Sequence, residues 1–121
     1  MKVKKMHIGI RDFHAVLDDF AAAGEALARG EIVPREDRVS FASIEAFRKS
    51  ITPRRLELLH MVKTAKPVSI NQLAGLLRRN IKNVADDVSF LVQVGLLETR
   101  EEGNRRIPRV EYDEIDLKLA V

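Results

Sequence analysis

The sequence predicts an α+β fold, mainly α, because two helical patterns and then two β-prone runs follow one another in residues 69–108. The helical patterns are amphipathic, a short basic turn separates them, and the second one ends at Gly95. The β-prone runs lie on either side of a turn that contains Gly103 and Asn104. This order of helix, turn, helix and hairpin is that of a winged helix-turn-helix. A strand-helix arm is predicted before it and a C-terminal strand after it.

The first helix of the pair is predicted to begin at or near Ser69. Ser69 and Gln72 have the spacing of a capping box, in which the hydroxyl and the side-chain amide each satisfy a free backbone N–H. Apolar residues then form one stripe that must be buried, at Ile70, Leu73, Ala74 and Leu77. Arg78 and Arg79 interrupt this stripe, and Asn80 is a favourable N-cap for the next helix. These three residues are therefore the predicted turn.

The second helix is predicted to run from Ile81 to the glycine stop at Gly95. Its apolar positions keep the helical period, at Ile81, Val84, Ala85, Val88, Leu91 and Val92. Its opposite face is polar and free to contact a partner, with Lys82, Asn83, Asp86, Ser89 and Gln93. Lys82 and Asn83 lie in the first turn, which is the part of a recognition helix that reaches base edges in the major groove. Solvated helix surface is the alternative interpretation of these two residues.

Two aspartates on the second helix weigh against DNA contact, because carboxylates near phosphates oppose binding. Asp86 can offset this effect by pairing with Lys82 one turn earlier. Asp87 is placed to accept a hydrogen bond from Arg78 or Arg79 and so to fix the turn.

The hairpin is predicted from residues 96–99 and 105–110, which bracket a Glu-Glu-Gly-Asn turn at residues 101–104. Three arginines lie around it, at Arg100, Arg105 and Arg106. This arrangement is typical of phosphate or minor-groove contacts, with the two glutamates limiting nonspecific binding.

The full predicted DNA-contact set lies at helix starts, in the turn and on the hairpin. Lys82 and Asn83 are predicted to contact bases, while the phosphate or minor-groove contacts are Arg54, Arg55, Ser69, Arg78, Arg79, Asn80, Arg100, Asn104, Arg105 and Arg106. Arg54 and Arg55 follow a Thr52-Pro53 helix start, where the helix dipole disfavours cations, so phosphate contact would explain their position. Simple tolerance of exposed charge is the alternative. Arg78 and Arg79 end a helix, where the dipole favours cations whatever the function.

Charge supports a division of the chain into three segments. Residues 1–51 are predicted to form an N-terminal dimerisation arm of a strand, an amphipathic helix and a short helix. Residues 52–110 form the DNA-binding domain, and residues 111–121 form the C-terminal strand. The net charge of +3 is distributed over these segments as +1, +5 and −3. The positive excess therefore falls on the helix-turn-helix, where a polyanion requires it.

The two ends of the chain are predicted to pair as strands, within one subunit or across a dimer. Residues 3–10 place Met6, Ile8 and Ile10 on one face, although three lysines leave a loose arm as an alternative. The tail alternates apolar and polar residues from Ile115 to Val121. The predicted dimer or partner surface combines one aromatic-rich helix with this tail, through Phe13, Val16, Leu17, Phe20, Ile115, Leu117 and Leu119.

Between these segments the pattern predicts a helix at residues 11–29, a loop around Pro34 at residues 31–38 and a short strand at residues 39–41. A short helix follows at residues 43–49, with Phe47 pointing inward. The helix that begins at Pro53 is so apolar that we expect burial on two sides, and it ends between Lys63 and Pro67.

Several classes of function are disfavoured. The chain has no cysteine, which excludes disulfides and thiolate zinc sites, and its three histidines lack the spacing of a metal site. Asp18 and Asp19 are helix neighbours that point about 100° apart, and no nucleophile or phosphate-loop motif occurs. We expect no catalytic residues, no metal and no cofactor. No apolar run approaches the roughly 18 residues of a membrane span, so we expect a cytoplasmic protein without a membrane partner.

The pattern N-x-x-N-V-x-x-D-V-x-x-L-x-x-x-G-L-L, from Asn80 to Leu97, resembles the recognition helix and first wing strand of MarR- and ArsR-type regulators. Together with FASIEAFRKSITPRRLELL at residues 41–59, the chain is similar to a small prokaryotic family with a DNA-binding assignment, often encoded beside toxin-like genes. The resemblance implies an autoregulating antitoxin.

The residues and the resemblance together predict a sequence-specific, double-stranded-DNA-binding transcriptional regulator that acts as a homodimeric repressor. The alternative is an antitoxin-type module that neutralises a partner toxin, with or without DNA binding. A third hypothesis is a scaffold whose winged helix no longer contacts nucleic acid.

Overall fold

The computed structural model describes residues 3–10, 32–35 and 37–119. The chain forms two compact units: Met1–Thr52 with Tyr112–Val121, and Pro53–Glu111. The described strands are β1 (Lys5–Ile10), β2 (Ile32–Arg35), β3 (Arg38–Phe41), β4 (Glu98–Glu102), β5 (Arg105–Arg109) and β6 (Glu114–Leu119). The described helices are α1 (Ile44–Ser50), α2 (Pro53–Ala65), α3 (Ile70–Leu77) and α4 (Ile81–Gln93). The fold is α+β, as predicted. Among these helices none has the length and hydrophobicity needed to cross a bilayer.

The first unit contains a four-stranded sheet in the order β2-β3-β1-β6. β1 is parallel to both of its neighbours, whereas β2 and β3 are antiparallel. Side chains alternate across a strand, so the buried residues of β1 (Met6, Ile8 and Ile10) share one face of the sheet with Val39 and Phe41 of β3. The predicted pairing of the chain ends is confirmed, and it takes place within one chain.

The prediction of a loop at residues 31–38 is wrong, because residues 32–35 form β2. Proline lacks the N–H that a central strand must donate, but β2 is an edge strand of the sheet. Pro34 lies opposite Val39 of β3 in the antiparallel register. An edge position therefore reconciles this strand with its proline.

α1 begins one residue later than predicted, because Ser43 is its N-cap and accepts a hydrogen bond through Oγ from the N–H of Ala46 at 3.1 Å. Phe47 packs edge to face against Phe41, with ring centroids 5.6 Å apart. The predicted inward position of Phe47 is confirmed. The helix predicted at residues 11–29, with Phe13, Val16, Leu17 and Phe20, lies outside the described residues.

The second unit begins with α2, which starts at Pro53 as predicted. Leu58, Leu59 and Val62 are buried on one side of the helix, but Leu56 is 45% exposed. The predicted burial of α2 on two sides is therefore wrong.

α3 and α4 form the predicted helix pair. Ser69 Oγ accepts from the N–H of Gln72 at 3.0 Å, while Gln72 Oε1 accepts from the N–H of Val68 at 2.8 Å. The return bond is thus made one residue earlier than in a standard capping box. The predicted stripe on α3 is buried at Leu73, Ala74 and Leu77. Ile70, the fourth residue of that stripe, is only half-buried.

The turn between the helices closes through a left-handed residue, Arg78, with φ 54° and ψ 46°. The N–H of Arg79 donates to the carbonyl of Ala74 at 3.1 Å, which satisfies an open carbonyl at the end of α3. Asn80 then caps α4, because its Oδ1 accepts from the N–H of Lys82 at 2.8 Å. The predicted turn and cap are confirmed.

α4 ends before Gly95, whose φ of 89° provides the predicted stop. The next two residues, Leu96 and Leu97, are buried in the core of the unit and do not belong to a strand. The predicted start of the first hairpin strand at residue 96 is therefore wrong. The hairpin is formed by β4 and β5, and its turn is limited to Gly103 and Asn104.

Candidate nucleic-acid interface

The outward side of α4 is exposed, and after Ile81 at the start of the helix it is polar. Val84, Val88 and Leu91 turn inward and are completely buried. The predicted polar positions are all exposed, at Lys82, Asn83, Asp86, Ser89 and Gln93. This burial follows from the 3.6-residue period, because the apolar stripe packs against the unit and leaves the opposite face to solvent.

The side chains of Lys82 and Asn83 make no hydrogen bond or ion pair with any other described residue, so both remain available to a partner. The predicted pairing of Lys82 with Asp86 is also absent from the described part of the chain. The carboxylate of Asp86 therefore stays uncompensated on the outward face of α4.

A groove of about 480 Å³ joins the start of α3, the start of α4 and the hairpin turn. Its lining comprises Val68, Ser69, Ile70, Asn71, Gln72, Ile81, Asn104, Arg105 and Arg106. The structure thus brings four predicted contact residues together, namely Ser69, Asn104, Arg105 and Arg106. Ile81, predicted to belong to the buried stripe of α4, is instead 46% exposed at this groove.

The groove has the electrostatics of an anion site. The N–H groups of Gln72 and Leu73 are satisfied by Ser69, whereas those of Ile70 and Asn71 are the free donors that every helix start leaves. The positive end of the α3 dipole lies at the same place, and Arg105 is exposed beside it. A phosphate oxygen fits this combination of donors and charge.

The hairpin carries alternating charges. Glu101 lies opposite Arg106 and Glu102 opposite Arg105 in the register of β4 and β5, so the two glutamates belong to a strand and not to the predicted four-residue turn. Arg100 Nη2 lies 3.4 Å from Glu102 Oε2, in a pair whose side chains are both more than half exposed. An exposed pair contributes little energy, so Arg100 remains able to exchange the carboxylate of Glu102 for a phosphate.

Two of the predicted phosphate contacts lie in an internal cluster, which we call the Asp87 cluster and which comprises Arg55, Arg79, Asp87 and Phe90. Arg79 Nη2 donates to Asp87 Oδ2 at 2.7 Å, and Arg55 Nε donates to Asp87 Oδ1 at 3.1 Å. The Arg55 guanidinium also lies over the Phe90 ring, 4.1 Å from its centroid. The three charged side chains are only 15–20% exposed.

The Asp87 cluster connects the start of α2, the turn after α3 and the second turn of α4. The predicted bond between Arg79 and Asp87 is confirmed. The guanidinium groups of Arg55 and Arg79 face the carboxylate of Asp87, so the phosphate contacts predicted for these two arginines stay a prediction. Asp87 follows the buried Val84 by three residues and precedes the buried Leu91 by four, so it borders the buried stripe. This spacing indicates an internal partner but does not identify Arg55.

The remaining predicted contacts lie apart from the groove. Arg54, Arg78 and Asn80 are exposed at the start of α2 and in the turn, and Asn80 uses its side chain as a helix cap. Of the predicted dimer surface, Ile115 is half-buried, while Leu117 and Leu119 are 47% and 55% exposed on β6.

Within the described ranges, the structure contains no group of three or more histidine, aspartate or glutamate side chains that could hold a metal ion. His7 Nδ1 lies 3.7 Å from Asp116 Oδ2 in an exposed pair on the sheet of the first unit.

Two solved structures from Mycobacterium bovis are similar to this chain. One is a solution NMR structure of the homodimeric winged helix-turn-helix DNA-binding domain of a possible ArsR-family transcriptional regulator, with 24% identity over 80% of this chain and 68% of that chain and a TM-score of 0.47. The other is a crystal structure of a fragment of a possible transcriptional regulatory protein, with 25% identity over 79% of this chain and 77% of that chain and a TM-score of 0.45.

No curated protein matches the chain. A family model described as HVO_A0114 matches residues 50–117. This range contains the helix pair, the hairpin and most of β6, and it is more than half of the 121 residues. The chain therefore belongs to the HVO_A0114 family.

Proposed function

We propose that this protein binds double-stranded DNA sequence-specifically through α4 and the hairpin, and that it acts as a homodimeric transcriptional repressor of its own gene. The observation that carries the proposal is the exposed polar face of α4. On this face the side chains of Lys82 and Asn83 make no hydrogen bond or ion pair with any other described residue. A 13-residue helix is roughly 20 Å long, and a helix of this kind fits the major groove, which is roughly 12 Å wide.

The residue types on this face suit base contacts. A lysine donates to O6 and N7 of guanine, and an asparagine side chain forms a bidentate pair with N6 and N7 of adenine. Lys82 and Asn83 lie in the first turn of α4, the part of a recognition helix that approaches base edges. Sequence discrimination is therefore assigned to these two residues.

The groove between α3, α4 and the hairpin supplies the phosphate contacts that fix the register of a helix on DNA. Arg105, Arg106 and the free N–H groups of α3 surround it, and Arg100 lies on β4 of the same hairpin. The net charge of +5 for residues 52–110 favours the approach of a polyanion. Two copies are proposed because one recognition helix contacts few bases, and a two-fold operator doubles the number of base contacts.

The test is a titration of a fluorescent duplex that carries the region upstream of the chain's own gene. Lys82→Ala and Asn83→Ala should each weaken binding to the preferred duplex by roughly 5- to 150-fold, the range expected for one base contact of 1–3 kcal/mol, and should reduce discrimination against unrelated duplexes. Arg105→Ala should weaken all duplexes alike and lower the slope of log affinity against log salt by roughly 0.9.

Arg48→Ala is the matched control, since Arg48 is an exposed cation on α1, outside the proposed interface. Asp86→Asn should strengthen binding to unrelated duplexes, because it removes the uncompensated carboxylate from the outward face of α4. The proposal fails if the intact protein ignores duplex DNA at low ionic strength, or if Arg48→Ala weakens binding as much as Lys82→Ala does.

The alternative function, neutralisation of a partner toxin, rests on Phe13 and Phe20, which lie outside the described residues, and on the tail. It gains no specific observation from the described residues and is not proposed.

A further inference from the structure

We propose that β6 is the dimer surface, and that it pairs antiparallel with β6 of a second copy about a two-fold axis at Leu117. This inference rests on the homodimer of the proposed function and names the surface that forms it. Four observations carry it, namely an open sheet edge, exposed leucines, one blocked edge and a self-complementary pattern of charge.

β6 is the last strand in the sheet order of the first unit, and its described pairing is with β1 on one side only. An unpaired strand edge presents a row of N–H and C=O groups that can join another strand. The opposite edge of the sheet is β2, where Pro34 interrupts the row of donors. β6 is thus the edge better suited to accept a strand.

The side chains of β6 add an apolar reason for pairing. Leu117 and Leu119 lie on the face of the sheet that carries the buried Ile8 and Ile10 of β1, yet they are 47% and 55% exposed. These two leucines extend the apolar face of the sheet to its edge, where they are exposed to solvent. A second copy at this edge would cover them by extending the same face across the two-fold axis.

The register follows from the charges on the other face. An axis at Leu117 places Asp116 opposite Lys118 of the second copy, twice over by symmetry, and places Ile115 opposite Leu119. Cross-strand pairs of opposite charge and of apolar residues both stabilise a sheet. The pairs formed by residues 115–119 in this register are therefore all favourable.

Neighbouring registers lose this match. An axis at Asp116 or at Lys118 places two identical charges directly opposite each other. An axis at Ile115 places Glu114 opposite Asp116. An axis between two residues brings the apolar face of one copy to the polar face of the other, because a one-residue slip exchanges the faces.

Single cysteines test the register directly, since the chain contains no cysteine of its own. Residues directly opposite in an antiparallel pair have Cβ atoms about 4.5–5.5 Å apart, so Leu117→Cys should form a disulfide dimer under mild oxidation. Leu119→Cys is the matched control: its side chain is at least as exposed, but in this register the two copies of the residue lie about four residues, or roughly 13 Å, apart. Equal cross-linking of both variants, or of neither, would overturn the register.

A charge exchange tests the pairing by sedimentation velocity without DNA. Asp116→Lys or Lys118→Asp alone should weaken the dimer on the order of tenfold or more, because each creates two like-charge pairs across the axis. The double variant D116K/K118D should restore the dimer, since both pairs become opposite in charge again. Circular dichroism checks that each variant is folded. No rescue by the double variant would contradict the proposal.

These readouts separate the two proposals. If the DNA proposal alone is wrong, the Leu117→Cys disulfide and the charge rescue still appear in the absence of a duplex. If the β6 proposal alone is wrong, Lys82→Ala still weakens DNA binding while both cross-linking and rescue fail.

Discussion

The carboxylate of Asp87 connects α2, the turn after α3 and α4 within the second unit. We expect the substitution Asp87→Asn to destabilise this unit strongly. The two carboxylate oxygens of Asp87 accept hydrogen bonds from Arg79 at 2.7 Å and from Arg55 at 3.1 Å. The substitution keeps the size of the side chain, removes the charge, and turns one acceptor into an NH₂ group that faces an arginine donor. Two guanidinium groups then lose the anion that compensates them.

The magnitude follows from the burial of the cluster. A hydrogen bond to a charged group contributes roughly 1.5–3 kcal/mol, and two are affected. The arginines are 20% and 15% exposed, so water recovers a part of the loss, and the amide oxygen still accepts one bond. Arg79 Nε and Nη1 are already buried without a hydrogen-bond partner among the described residues, so these atoms offer no compensation. We therefore expect a loss of about 2–4 kcal/mol, which corresponds to roughly 10–20 °C in Tm.

Thermal and urea unfolding followed by circular dichroism measure this loss. Asp86→Asn is the matched control, because it makes the same chemical change at the adjacent, exposed position, where we expect a change within about 0.5 kcal/mol. Equal stability of the two variants would refute the reasoning. So would an Asp87→Asn protein as stable as the parent, since the carboxylate would then be no more than an exposed surface charge.

Three further predictions concern single residues. Burial raises the pKa of Tyr112 well above its ordinary value. It is the only tyrosine in a chain without tryptophan, so an alkaline absorbance titration should show the folded protein ionising later than the unfolded chain, which titrates near pH 10. Because the folded pKa is the higher one, the contribution of this burial to the stability of the fold is fully present below about pH 10 and is lost as the pH rises through the folded pKa. Coincident titrations of the folded protein and the unfolded chain would contradict this prediction. Gly75→Ala should stabilise α3 by about 0.5–1 kcal/mol, since a Cβ there meets no atom within 4 Å. Gly103→Ala also meets open space but should destabilise the hairpin by about 1 kcal/mol because of its φ of +62°; thermal unfolding should move in opposite directions for the two variants.

The helix pair could be predicted from the sequence because its signals are local. Ser69, Asn80 and Gly95 act through their own side chain or backbone angle on groups at most three residues away. Such signals do not depend on the rest of the fold. The ends of α3 and α4 and the turn between them are therefore close to their predicted positions.

The strand boundaries depend on tertiary context, and this is where prediction from sequence is wrong. Leu96 and Leu97 are apolar enough for a strand, but the core of the second unit buries them both before β4 begins. Pro34 argues against a central strand, and only the sheet order shows that β2 lies at an edge. Neither fact is present in the local pattern.

The Asp87 cluster shows the same limit at the candidate interface. Arg55 and Asp87 are 32 positions apart, so the sequence gives no spacing that would link them. Arg54 and Arg55 have the same charge and adjacent positions at the start of α2, yet Arg54 is exposed and Arg55 lies over Phe90. The side of the helix, which depends on what packs beside α2, determines which arginine is available to a phosphate.

The different orientations of Asp86 and Asp87 bear on the hypothesis of a scaffold that does not contact DNA. Both carboxylates supported it, because negative charge on a recognition helix opposes phosphate binding. Adjacent helix residues point about 100° apart, and the structure turns Asp87 inward to two arginines while Asp86 stays on the outward face. The outward face therefore carries one carboxylate, which in a major groove can accept a hydrogen bond from N4 of cytosine. Asp87 therefore no longer supports the scaffold hypothesis, because its carboxylate faces two arginines. Asp86 supports it no better than it supports a DNA-binding helix, since a single acidic residue at that position is compatible with base selection.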